Sequence, residues 1–300
     1  MKRLCSDYGD NEMKYIVLTD STCDLPEEIV RAHGIDVICF KLALDGKGYV
    51  ERQDFAPEEF CRMLREAKSL PTTAQITEYE FLERFEQYDA QGAEEVLYVS
   101  INAGGSSTNA NAQLACREFR RLHPESGMKI TIVDSRGYSI AQGQPIVEAC
   151  EKLEAGETME AVAAWLRDRY ARMEILLTAY SLKVIRKSGR VSAAAAIAGE
   201  VLGIHPVFTL NDGVSHVVRK VRGEKGVLSA MTSLLKSRMV EGVPYYIGVT
   251  DREKYAAEYA EACTAAVGYP PAFVFDLGAA VQSNTGPDAV GIVFEGAYRG

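Results

Sequence analysis

The sequence predicts an α/β protein of two domains, an N-terminal doubly wound, mostly parallel sheet followed by a C-terminal α+β unit. Three observations point there. Short β-branched or apolar runs alternate with longer helical patterns through the first half, which is the signature of strand–helix–strand units. Three of those strands end in small polar residues, where loops of an open parallel sheet converge. The second half is less regular and contains a hairpin signal, Asn211-Asp212-Gly213, followed by a strand.

Taken in order, the run Tyr15-Ile16-Val17-Leu18-Thr19 reads as a buried strand, and 25–33 as the helix after it. Asp24 and Glu27 have capping-box spacing, with Pro26 in the first turn. A strand over 35–42 follows, then an amphipathic helix over 57–67 that carries Phe60, Met63 and Leu64 on one face. Phe81 and Phe85 mark the next helix. The strand 95–99, a helix over 109–122, the strand 129–133 and a helix over 145–153 complete the first half. Gly156 suits a helix stop and places a domain boundary after 155, so that 1–155 and 156–300 are the two units. The second unit begins with a helix over 159–170. After it come a strand over 174–178, a helix around Lys183, an Ala-rich helix over 193–202 and the strand 207–210. Helices over 226–239 and 253–267 enclose the strand 245–249, and a final strand pair closes the chain.

Composition narrows the function. The chain has 300 residues, of which 47% are hydrophobic, enough for a substantial core. Its formal net charge of −9 argues against broad nucleic-acid binding and against adhesion to anionic membranes, both of which reward clustered Lys and Arg. Lys2 and Arg3 are followed by the polar stretch 6–12, where a signal peptide needs an apolar segment. The folded chain is therefore expected to start near Met13. The longest apolar stretch, 191–208, is interrupted by Glu200 and His205 and reads as a buried helix and strand, with no integral membrane segment. Seven scattered cysteines without a C-x-x-C pair fit reduced thiols and a cytoplasmic location.

The polar strand ends are Asp20-Ser21-Thr22, the loop from Asn102 through Gly104-Gly105-Ser106-Ser107-Thr108, and Asp134-Ser135. Glycines let a backbone approach a ligand, and the following helix directs free N–H groups at it, which suits a phosphate or a carboxylate. The competing reading is that these residues are ordinary helix caps. No Lys follows the Gly-Gly pair, so the loop is not a Walker A motif, and no G-x-G-x-x-G or G-x-S-x-G is present. His33, His123, His205 and His216 are expected in structural or surface positions. No metal-ligand spacing or cofactor motif is found.

Several further motifs occur in order along the chain: the opening 17–26 segment, Leu70-Pro71-Thr72-Thr73-Ala74-Gln75, the 102–108 loop, Val133-Asp134-Ser135, Arg186-Lys187-Ser188-Gly189-Arg190-Val191, Leu202-Gly203-Ile204-His205-Pro206, Lys220-Val221-Arg222 and Asn284-Thr285-Gly286-Pro287-Asp288-Ala289. Together and in this register they resemble the DegV family of fatty-acid-binding proteins. The resemblance implies a non-catalytic carrier with a long-chain fatty acid between its domains. Its carboxylate would be held by Thr73 and Ser106, with Arg190 and Asn284 completing the lipid-binding set. The second domain would enclose the acyl chain, and an ATP-dependent fatty-acid kinase would be the partner to which the bound acid is presented. The sequence departs from the family's pattern at Asn284, which stands for a histidine, at Asn102 and Ala103, which stand for paired serines, and at Asp288, which stands for a glycine. Two alternatives remain at this stage: a phosphate-ester or kinase-like enzyme using Gly104–Thr108, and a protein-interaction module. Trp165, on an amphipathic helix, is expected in the core.

Overall fold

Val17, Leu97, Val99 and Val133 lie in one buried cluster and Leu18, Val96, Tyr98 and Ile130 in another, because successive side chains of a strand point to opposite faces. The computed structural model describes residues 15–189, 203–211 and 213–296. It sets these side chains on β1 (Tyr15–Asp20), β6 (Glu95–Ser100) and β7 (Lys129–Asp134). With β2 (Asp36–Ile38) they form a parallel sheet in the order β2-β1-β6-β7. One face is covered by α3 (Glu78–Ala90) and α4 (Thr108–Leu122), through Phe81, Phe85 and Phe119. The other is covered by α5 (Ile140–Glu154) and α6 (Met159–Arg172), through Ile146, Leu153, Val162 and Leu166. A sheet buried on both faces needs near-continuous apolar strands, which is what these runs are.

The second sheet has six strands. They are β8 (Met173–Ala179), β9 (Ile204–Asn211), β10 (Val214–Arg222), β11 (Tyr245–Val249), β12 (Phe273–Asp276) and β13 (Ala289–Glu295), in the order β10-β9-β8-β13-β11-β12. Only β11 and β12 pair in parallel. The short helix α7 (Leu182–Ser188) follows β8, and on the sheet's outer face α8 (Glu224–Arg238) and α9 (Arg252–Val267) pack against Leu176, Ile247, Ile292 and Phe294. The inner face, with Ile175, Leu177, Tyr246 and Val293, shares one core with the first sheet and with α5 and α6. A small antiparallel sheet of β3 (Lys41–Leu44), β4 (Lys47–Val50) and β5 (Thr72–Ala74) sits to one side, in the order β4-β3-β5.

Four local expectations are corrected. The strand over 35–42 is split between two sheets, since the Phe40 N–H donates to Ser21 Oγ at 2.9 Å and the ladder is interrupted there. Asp24 does not cap α1 (Glu27–Ala32): Pro26 occupies the N-cap without a side-chain bond, and Asp24 adopts a left-handed conformation with φ 51°. Pro145 lies inside α5, where its missing N–H leaves one helix bond unmade. The last two strands are not a pair. They flank β11 on opposite sides, joined through the short helix α10 (Ala279–Thr285). The leader before residue 15, the helix expected over 193–202 and Arg190 lie outside the described residues. Among the described residues, no helix is long and apolar enough to cross a membrane.

Candidate functional site

A cavity of about 320 Å³ lies where the loops after β1, β6 and β7 meet the inner face of the six-stranded sheet. That is the low end of the range for small-molecule pockets. One wall is polar, with Thr73, Gln75, Ser106, Tyr138, Ser139 and Asn284; the other carries Ile175, Leu177, Leu210, Phe275 and Val293. Among the described residues no charged side chain lines it.

The β6 loop supplies much of the polar wall. Gly104, Gly105, Ser106 and Ser107 all face the cavity, and α4 begins immediately afterwards. Ser107 occupies the N-cap of α4 but makes no side-chain cap bond. The Thr108 N–H makes a long 3.3 Å bond to Ser106 Oγ. Ser106 Oγ also shares a 2.9 Å hydrogen bond with Thr108 Oγ1, so this hydroxyl pair stands with the N-terminus of α4 beside the cavity, an arrangement that favours an anionic oxygen. Thr73 reaches the same cavity from β5, where it pairs opposite Leu42.

Asn102 braces this loop. Its Oδ1 accepts from the Gly104 N–H at 2.9 Å, and its Nδ2 donates to Tyr138 Oη at 2.9 Å and to the Gly213 carbonyl at 3.1 Å. The turn of the β9–β10 hairpin is thus tied to the β6 loop. Gly105 is required by the same packing, since a Cβ there would lie 2.1 Å from Tyr138 Oη.

The polar end of β1 braces the scaffold while Thr22 also lines the cavity. Asp20 is fully buried and accepts from the Ile101 N–H at 2.8 Å and from Tyr98 Oη at 3.1 Å, joining the ends of β1 and β6. Thr22 Oγ1 sits between Asp20 and Gln142. Burial raises the Asp20 carboxyl above its ordinary range, against the opposing effect of its hydrogen bonds.

Behind the polar wall lie two further carboxyls. Ser139, a non-glycine residue held at φ 58°, donates to Asp24 Oδ2 at 2.5 Å. Glu51 accepts from Ser21 Oγ at 2.5 Å and from the Ala280 N–H, at the start of α10, at 2.7 Å. Burial, with Glu51's charge adding to it, pushes Asp24 up to about 8, and burial pushes Glu51 up to about 7. Each therefore resists ionisation where a second negative charge would stand beside the site.

Of the residues singled out from sequence, Thr73, Ser106 and Asn284 line this one cavity, and Arg190 lies outside the described residues. Asn284 Nδ2 donates to the Ala280 carbonyl at 2.7 Å, one turn back along α10. Tyr138, Ser139, Gln75 and Thr285 line it too, yet sequence reasoning did not single them out as ligand contacts. The signal for Tyr138 was Gly105, whose missing side chain makes room for a ring that is distant in sequence. None of the four histidines lines the cavity. Asp288 has a clear partner set, accepting from Arg65 at 3.0 and 3.2 Å and from Lys254 Nζ at 3.3 Å. It therefore holds α2 (Pro57–Glu66) against the second sheet.

The comparisons with known proteins agree with this architecture. Residues 14–297 match the family described as "Uncharacterised protein, DegV family". A DegV domain-containing protein of Caldanaerobacter subterraneus subsp. tengcongensis is 28% identical over 284 residues, covering 94% of this chain and 99% of that one. The structure of a DegV family protein from Thermus thermophilus, described for its fatty acid binding, superposes with a TM-score of 0.81 at 28% identity, over 95% of this chain and all of that one. A fatty acid binding DegV family protein from Streptococcus agalactiae gives 0.84 at 25% identity, over 95% of this chain and 99% of that one. A match that spans both sheets and the loops between them has one meaning: the chain belongs to the DegV family.

Proposed function

We propose that this protein binds a long-chain fatty acid without transforming it. The carboxylate lies against Thr73 and Ser106, and the tail lies along the inner face of the six-stranded sheet. One observation carries the reading: a single cavity joins a wall of hydroxyl and N–H donors to a wall of branched apolar side chains. A carboxylate removed from water needs several charge-assisted bonds. The apolar wall then adds about 0.8 kcal/mol for each methylene buried. The fatty acid binding described for relatives in this family supports the same ligand class.

The site acts as a holder because it offers donors and surface, with no histidine or charged group among its described lining. The proposed setting is the cytoplasm, with residues 156–300 supplying the apolar wall. Presentation of the acid to an ATP-dependent fatty-acid kinase extends the proposal, and Asn284→His tests it by bringing an imidazole to the cavity. Transfer by such a kinase should rise in the variant, while an unchanged rate with intact binding removes the partner from the reading.

The test of binding is mass spectrometry of lipids extracted from the purified protein, paired with calorimetry on delipidated protein. Co-purified acyl species and saturable binding of palmitic acid are expected. An absence of both would refute the proposal.

A further inference from the structure

Two glycines stand side by side in the middle of the six-stranded sheet. Gly248 on β11 is in direct register with Gly291 on β13. Glycine in a strand interior weakens it and marks a place where something approaches the backbone closely. Neither residue has a positive φ, so any side chain fits the backbone conformation at both positions, and the reason for glycine must lie in the space above the sheet.

The two spaces differ. A Cβ on Gly248 would lie 2.6 Å from Phe275 Cζ and 2.8 Å from Leu277 Cδ2, so its notch is filled by the protein itself. A Cβ on Gly291 would meet only the Leu176 carbonyl oxygen, at 3.8 Å, an ordinary contact. Gly291 lines the cavity. Its register partner Leu177 and the neighbouring pair Ile175 and Val293 line it too. The apolar wall is therefore lined by aliphatic and aromatic side chains, with bare backbone at Gly291.

We propose that Gly291 gauges the acyl tail: the distal part of the chain crosses the sheet over this notch, and the missing side chain is what admits long chains. The inference rests on the fatty-acid reading above and identifies a specificity-determining residue within it. Polar-wall residues set how the carboxylate is held, whereas Gly291 sets how much tail can follow.

The experiment compares delipidated wild type with Gly291→Ala and Gly291→Val in calorimetric titrations with saturated acids from decanoic to stearic. Gly291→Val is expected to weaken stearic acid by about 30-fold while decanoic acid stays within about 3-fold, since a few added methyl groups in a pocket discriminate by factors of this size. Gly291→Ala should fall between. Without ligand, Gly291→Val should melt no lower than wild type, because a β-branched residue suits a strand and its Cβ would make only an ordinary contact, with the Leu176 carbonyl oxygen. The stabilisation produced by stearic acid should shrink. An equal loss for every acid, or an unchanged affinity for stearic acid, would overturn the gauge and leave the carrier reading standing. Wild type that binds none of the acids would overturn both.

Discussion

The wall that carries Thr73, Ser106 and Tyr138 is made of loops and strand ends, whereas the wall that carries Ile175, Leu177 and Val293 is the continuous face of a sheet. A parallel sheet buried by helices on both sides has no face to offer. What it presents are the carboxyl ends of its strands and the N-termini of the helices that follow, which are rich in unpaired donors. The six-stranded sheet covers only its outer face with α8 and α9 and leaves part of the inner face to line a cavity. A polar contact and an apolar contact for one ligand thus come from two different ways of finishing a sheet.

The largest test removes the polar contacts. Thr73→Ala with Ser106→Ala should cost about 3 kcal/mol of fatty-acid affinity, roughly 100-fold, if each hydroxyl donates to the carboxylate. Calorimetry with palmitic acid and with its methyl ester checks this. A loss that is equal for acid and ester would show that the hydroxyls do not read the charge.

On the apolar side, Gly248→Val drives a side chain into Phe275 and Leu277. Overpacking of this kind should destabilise the protein by about 1–3 kcal/mol, in contrast to the neutral outcome expected at Gly291. Chemical denaturation of the two variants compares them directly, and equal stabilities would erase the distinction between a filled and an open notch.

Asp24 and Glu51 sharpen the polar side through pH. Both keep their protons in the folded protein to a higher pH than in the unfolded chain, where carboxyls titrate near about 4. The folded state therefore binds more protons between about pH 4 and 8. Their contribution to stability is complete below that window and is lost as the pH rises through about 7 and about 8. The melting temperature should fall by on the order of 5 °C between about pH 6 and 9, and Glu51→Gln should flatten the slope. A wild-type profile that is level over this range would contradict the assignment.

The smallest effect is expected where the two halves touch at the surface. Arg65 bridges Asp251 at 2.9 Å and Asp288 at 3.0 Å but is 38% exposed. Arg65→Ala should cost about 1 kcal/mol, less at high salt. Denaturation at low and high ionic strength measures it, and a salt-independent loss would point to packing by the arginine stem instead.

Much of this architecture was legible in the chain. Tyr245–Val249 is the strand its β-branched and aromatic run predicts, and the strands expected over 95–99 and 129–133 are found as β6 and β7, each one residue longer. Helix starts were less legible where the cap is supplied from far away. The first turn of α10 is satisfied by Glu51 through the Ala280 N–H, a bond across more than two hundred residues with no local signature. The small sheet of β3, β4 and β5 escaped for a related reason. Its strands are only three or four residues long, too short for a period-two pattern to emerge.

By itself the sequence indicated most of the longer strands and helices and a doubly wound first sheet, and its resemblance to a family grouped Thr73, Ser106, Arg190 and Asn284 as one expected set. Those properties follow from local periodicity and from residues in register along the chain. Only the tertiary structure decided that Tyr138 closes over Gly105, that Asn102 ties the hairpin turn to the β6 loop, and that Gly291 is open while Gly248 is filled. Each of these depends on what lies above a backbone, and a neighbour in space leaves no periodic trace in the chain that packs against it.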